Sequence, residues 1–279
     1  MQADVKRAQR NVQQAADQAS VGDKATWMKM LARAGYAAKG VVYLVIGVLA
    51  VEGGVAGGSR SALTQINQQP FGRFLLTLVA IGLLAYAIWR FVHGIADPEN
   101  EGDDAKALAK RTGYVASGVV YGALAFSAVQ IAFGSGGGGG SGAQNWTAQV
   151  LDLAFGRWLV GLAGVGVILG GLHQLQQAIT AKFRENFALS EISPEQERWA
   201  VRAGRLGHAA RTVVYAIIGW FLVRAALTYD SSEVGGLGEA LRTLQQQPYG
   251  RWLLGAAGVG LVCYGIYCFV LARYRKAVY

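Results

Sequence analysis

Charge is scarce in this chain. Only 15% of its 279 residues are Asp, Glu, Lys or Arg, against roughly 25% in a soluble domain. That shortage excludes an ordinary water-soluble globule. Cysteine is nearly absent. Cys263 and Cys268 fall five residues apart in one helical run and face different directions, so no bridge between them is expected. Both read as small apolar packing residues. The first 33 residues lack an apolar core followed by a small-residue cleavage site, so a cleaved signal peptide is not expected and the first span should itself direct insertion. No nucleophile elbow, zincin helix or phosphate-cradling loop occurs. These absences lead us to expect no catalytic residue and no cofactor.

What is present is apolar and bunched. Tyr114–Phe133 and Trp252–Ala272 carry no charge at all, and each is about the roughly 20 residues that cross a bilayer core. Residues 74–89 and 158–179 are similar. Val41–Val51 and Val213–Leu227 become spans once their polar flanks, 34–39 and 208–211, are included. Backbone groups in lipid must be satisfied within the segment, so the spans should be helices. The prediction is an all-α integral membrane protein with six transmembrane helices.

One unit is written three times. Gly35-Tyr36-Ala37-Ala38-Lys39-Gly40-Val41-Val42-Tyr43 returns at Gly113–Tyr121 and, more altered, at Gly207–Tyr215. Each copy is followed by an aromatic-Gly-Arg triplet: Phe71-Gly72-Arg73, Phe155-Gly156-Arg157 and Tyr249-Gly250-Arg251. The spans therefore form three tandem helical hairpins, 34–98, 108–183 and 201–276, behind a polar lead-in, 1–33. They suit a pseudo-threefold arrangement. The lead-in places Val5, Ala8, Val12, Ala15 and Ala19 at a weak heptad spacing. Between spans, Leu63 with Ile66 and Leu241 with Leu244 predict short amphipathic helices on the outer surface. The Gly-rich run from Gly134 to Gly142 reads as a flexible linker.

The Gly-Tyr-x-x-Lys-Gly-Val-Val-Tyr opening, the Pro-Phe-Gly-Arg re-entry and the three tandem units resemble the bacterial membrane family bearing domain of unknown function 1206. The resemblance covers about residues 31–276. It implies a six-helix membrane protein and supplies no activity.

Basic residues are lopsided. The N-terminal segment up to Lys39, the 90–111 and 182–211 connections and the C-terminal tail hold 20 of the 26 Lys and Arg. The positive-inside rule then puts both termini in the cytoplasm of a plasma-membrane protein. The net charge of +9 reads as topology plus contact with anionic lipids, and no nucleic-acid partner is expected. A membrane-protein partner is an open alternative.

Three sets of residues stand out. Arg73, Arg157 and Arg251 each begin a helix on the arginine-poor side, at the unfavourable end of a helix dipole. They are candidates for binding an anion or a lipid headgroup; the plainer alternative has them bonding the last carbonyls of the preceding short helix. Glu52, Gln130 and Arg224 share one repeat position and form an intramembrane polar level, where Glu52 and Arg224 would pair. Lys39, Ser117 and Arg211 mark a second level at which the three copies differ. His93, His173 and His208 occupy non-equivalent positions, so they are weak metal candidates and read as interfacial or hydrogen-bonded groups. The Gly118-x-x-x-Gly122 and Gly166-x-x-x-Gly170 pairs predict close helix packing. Function at this stage reads as a non-catalytic scaffold or accessory subunit. The alternatives are a transporter or channel for a small, anionic solute and a membrane redox or metal protein using the histidines.

Overall fold

The structure is a computed structural model that describes residues 27, 29–52, 58–97, 102, 104–134, 142–188 and 192–275. Six of its helices are long and apolar enough to cross a membrane: α1 (Lys29–Val51), α3 (Gly72–Ile95), α4 (Ala105–Ala132), α6 (Gly156–Thr180), α7 (Pro194–Thr228) and α9 (Gly250–Tyr274). Three short helices, α2 (Gly58–Asn67), α5 (Gly142–Leu151) and α8 (Leu237–Gln245), each precede the second span of a repeat. The described chain is all helix and connection, with one isolated bridge between Phe187 and Arg275. The first span begins at Lys29, so the last residues of the expected lead-in belong to α1. The heptad positions and the run 135–141 lie outside the described residues.

Local chemistry sets the helix ends. Asp104 caps α4 by accepting from Ala107 N at 2.7 Å. Ser193 and Gln196 form a capping box on α7, with Pro194 just inside. Arg111, on α4, donates to the terminal carbonyls of α3 at Gly94 and Ile95, both at 3.1 Å. Those bonds satisfy a helix end and dock α4 on α3 together.

The short helices do more than lie on the surface as expected. Ala62 and Leu63 of α2 and Ala240 of α8 are fully buried, in contact with the ends of the spans. Their apolar faces plug the bundle.

The six spans join head to tail. The second helix of each repeat packs on the first helix of the next: α3 on α4, α6 on α7, and α9 on α1. Two of these crossings use the same pair of glycines. A Cβ on Gly47 would sit 2.7 Å from Gly258 O, and one on Gly219 would sit 2.8 Å from Gly164 O. At the third crossing the equivalent residues are Ala80 and Ala125, both buried. Backbones approach this closely only where side chains are absent or tiny. The closest backbone approaches between repeats are therefore Gly47/Gly258 and Gly164/Gly219. Of the pairs expected from the sequence, Gly118 does pack, against Phe91, but a Cβ on Gly166 would meet nothing within 4 Å.

Within repeats the symmetry breaks. In the first, a Cβ on Gly35 would lie 2.5 Å from Tyr86 Cβ, and one on Gly82 would lie 2.5 Å from Ala38 Cβ. The third repeat reproduces both contacts, Gly207 with Tyr264 Cα at 2.7 Å and Gly260 with Ala210 Cβ at 2.3 Å. The second repeat has the same glycines, Gly113 and Gly166, and neither has anything within 4 Å. Among the described residues, α4 packs on the first hairpin and α6 packs on α7, without comparable packing between α4 and α6. The second hairpin is split between its neighbours.

Candidate functional site

The level at Lys39 and Arg211 lies at the centre of the bundle. Lys39 is ten residues into α1, about 15 Å along it at 1.5 Å per residue. Arg211 is seventeen residues from either end of α7. Both are buried, at 3% and 6% exposure. The small residues around them place them there. Gly40 packs on α9 and Gly207 packs on Tyr264, which draws α1, α7 and α9 together and turns the neighbouring cations inward.

A cage of tyrosines receives the two cations. Lys39 Nζ lies 4.9 Å from the ring centre of Tyr86, 5.1 Å from Tyr121 and 5.3 Å from Tyr264. It donates to Tyr86 Oη at 3.3 Å. The Arg211 guanidinium lies 4.3 Å from Tyr264 and 4.8 Å from Tyr215, and it donates to the hydroxyls of both. Tyr43 joins the two, 6.0 Å from Lys39 and 5.7 Å from Arg211. A second tier lies nearer the C-terminal ends of α3 and α9. Arg90 Nε donates to Tyr86 Oη at 2.9 Å, and Arg275 donates to Tyr36 Oη at 2.6 Å.

Electrostatically the centre is one-sided. A charge at mid-membrane costs several kcal/mol; a desolvated cation–π contact returns about 2 kcal/mol. The tyrosine faces and hydroxyls offset that cost in part and bring no negative charge. Among the described residues no Asp or Glu is buried. Arg211 Nε and His208 Nε2 are buried with no hydrogen-bond partner among the described residues. The arrangement can hold an anion: two cations, several hydroxyl donors and a spare guanidinium N–H converge in a low-dielectric setting.

The other singled-out residues fall elsewhere. Arg224 pairs with Glu233 at 2.9 Å, not with Glu52, which lies exposed at the end of α1. The turn after α7, Ser231–Glu233, brings Glu233 back to that helix. Asp230 caps the turn by accepting from Ser232 N at 2.8 Å, and that bond holds its carboxyl below the usual range. Gln130 is partly buried near the C-terminal end of α4.

Arg73, Arg157 and Arg251 are all exposed at the N-terminal ends of α3, α6 and α9. The N–H groups of Gly72, Gly156 and Gly250 donate to the carbonyls of Gln69, Leu153 and Gln247, in the turn after each short helix, at 2.7–2.8 Å. Each glycine is required by proximity. A Cβ there would fall 1.7–2.2 Å from a carbonyl oxygen of the short helix. In two copies the left-handed residue is the aromatic, Phe71 at φ 58° and Tyr249 at φ 61°, and those rings are 85% and 83% exposed.

The three histidines make separate contacts. His93 is buried with Nδ1 3.0 Å from Trp89 O. His173 is exposed beside Gln177. His208 is buried rather than interfacial, bonded to Gln174 and stacked on Phe183. No group of three His, Cys, Asp or Glu among the described residues can hold a metal. Cys268 is buried and Cys263 half-buried, and both are free thiols.

Reading from the first helices alone missed Tyr86 and Tyr264. Both stand fourteen residues after the glycine of the aromatic-Gly-Arg triplet, where the second copy has Gly170. Aligning the second helices of the repeats exposes that signal.

The threefold unit is also recognisable against known families. The family described as Domain of Unknown Function (DUF1206) matches at 34–97, 112–181 and 206–275. The chain belongs to the DUF1206 family. It is similar to the uncharacterized protein YxxB of Bacillus subtilis (strain 168), with 36% identity over 253 residues, covering 89% of this chain and 92% of that protein. No solved structure matches. In DUF1206 terms, the caged cations lie in the first and third units, and the second unit supplies Ser117 and Gly170 at the corresponding positions.

Proposed function

We propose that this multi-pass membrane protein binds an anionic group at mid-membrane, between Lys39 and Arg211, as a carrier or binding protein for an anionic ligand. One observation carries the reading. Two cations are buried side by side in a membrane-spanning bundle, and no carboxylate among the described residues is buried with them. A structural ion pair would place an acid there. A bound anion would neutralise the centre and take the spare Arg211 N–H. The proposal replaces the scaffold reading with the anionic-solute alternative.

The placement that goes with it is the plasma membrane with both termini in the cytoplasm, on the charge asymmetry described above. The exposed Arg73, Arg157 and Arg251, each beside an exposed aromatic ring, then suit outer-leaflet lipid phosphates. The basic inner connections suit anionic headgroups.

The test is thermal unfolding in phosphatidylcholine nanodiscs with chloride, acetate, inorganic phosphate or dodecyl phosphate added. At least one anion should raise the midpoint with concentration, and Lys39→Met with Arg211→Met should remove the shift. A wild-type midpoint that none of the four anions moves would overturn the proposal.

A further inference from the structure

The split second hairpin has a bearing on what the anion is attached to. In the first and third units, a tyrosine on the second helix, Tyr86 or Tyr264, packs on a glycine of the first helix and closes the hairpin. In the second unit that tyrosine is Gly170, and the residue matching Lys39 and Arg211 is Ser117. Both side chains that would fill the space between α4 and α6 are therefore missing. The faces that would meet are bare, since Gly113 and Gly166 are exposed with nothing within 4 Å. These two helices are also the least buried of the six spans.

Behind this opening stand Tyr121 of α4 and Tyr215 of α7, both partly buried. Each touches a caged cation: Tyr121 lies under Lys39 at 5.1 Å, and Tyr215 accepts from Arg211. Among the described residues, Tyr121 and Tyr215 thus stand between the cations and a face that, along a membrane span, borders acyl chains. A water-soluble anion has no route through such a face. An anion carrying a hydrocarbon tail does, because its tail remains in lipid while its head passes Tyr121 and Tyr215.

We infer that the ligand of the Lys39–Arg211 centre is a membrane-borne anionic amphiphile, a phosphate or carboxylate head on an acyl chain, which enters sideways between α4 and α6 with its tail lying along Gly113 and Gly166. The inference rests on the anion-binding reading above. Charge complementarity selects the head, and the tail occupies the face left empty by Gly170. Two positions make the gap testable without touching the cage. A tryptophan at Gly166 or Gly113 fills the gap, and one at Gly255, which also has nothing within 4 Å, lies on α9 and serves as control.

The experiment compares dodecyl phosphate with inorganic phosphate on the full chain in phosphatidylcholine nanodiscs. Affinity is taken from the ligand-dependent unfolding midpoint, and folding is checked by gel filtration. Wild type should bind dodecyl phosphate at least tenfold more tightly than inorganic phosphate. Gly166→Trp and Gly113→Trp should weaken dodecyl phosphate at least tenfold without changing inorganic phosphate, and Gly255→Trp should change neither. If both gap variants bind dodecyl phosphate as wild type does, sideways entry is wrong while the anion centre stands. Equal loss of both probes in both gap variants also overturns it, because a lateral opening serves only the probe with a tail. Wild type that binds neither probe overturns the inference, and the centre itself falls if chloride and acetate also leave the midpoint unmoved.

Discussion

Glycines at one repeat position should differ sharply in their tolerance of a methyl group. Gly35, Gly113 and Gly207 are equivalent in sequence, as are Gly82, Gly166 and Gly260. Alanine at Gly35 would place its Cβ 2.5 Å from Tyr86 Cβ and 2.7 Å from Tyr86 Cα, and at Gly207 2.7 Å from Tyr264 Cα. Backbone atoms cannot rotate away, so helices must separate, at a cost of about 1–3 kcal/mol for overpacking. At Gly113 and Gly166 the new methyl meets nothing within 4 Å. There the substitution should be neutral or stabilise by up to about 1 kcal/mol through helix propensity. The gap between the two sets is about 1–4 kcal/mol, a factor of roughly 5 to 1,000 in the unfolding equilibrium. Six single alanine variants, unfolded reversibly by SDS titration from mixed micelles, measure it. If Gly113→Ala or Gly166→Ala costs as much as Gly35→Ala, the second hairpin is closed like the others. The split between α4 and α6, and the lateral entry argued from it, would then be refuted.

Three further outcomes follow from the contacts. Tyr86→Phe removes one hydroxyl that accepts from both Lys39 and Arg90; at about 1.5–3 kcal/mol for a hydrogen bond to a charged group, SDS titration should show a loss at the upper end of that range or above. Exchanging the charges of Arg224 and Glu233 should restore whatever Arg224→Glu loses, up to about 1 kcal/mol for so exposed a pair, while exchanging Glu52 with Arg224 should restore nothing. Phe71→Gly and Tyr249→Gly relieve a left-handed residue, worth about 1 kcal/mol, but remove an exposed ring. Both should therefore be more stable than wild type in micelles and lose that advantage in nanodiscs, as read from the two midpoints.

The sequence made the span count and the threefold unit legible because both depend on local pattern: apolar length for one, repeated Gly, Tyr and Arg spacing for the other. The level of Lys39 and Arg211 was also visible as a place where copies diverge. What pattern alone did not disclose was partnership. Arg224 and Glu52 share a repeat position, yet the turn after α7 brings Glu233 closer. The tyrosine cage draws Tyr43, Tyr86, Tyr121, Tyr215 and Tyr264 from five helices, and no window along one helix reveals such convergence. Gly166 resembles a packing glycine in every local respect. Its bareness follows from Gly170 and from the helix α6 has for a neighbour.

That neighbour has a consequence for how the protein is made. Synthesis runs from the N-terminus, so α4 finds α3 already in the bilayer and can dock at once through Arg111. By contrast, α6 packs mainly on α7 and on its own short helix α5. When α6 leaves the insertion machinery, its principal partner has not yet been translated. It must wait in lipid as a solitary helix, with Gly164 and Gly171 uncovered, until α7 arrives. Packing around the fourth span of this membrane protein is therefore completed only once the fifth has been inserted.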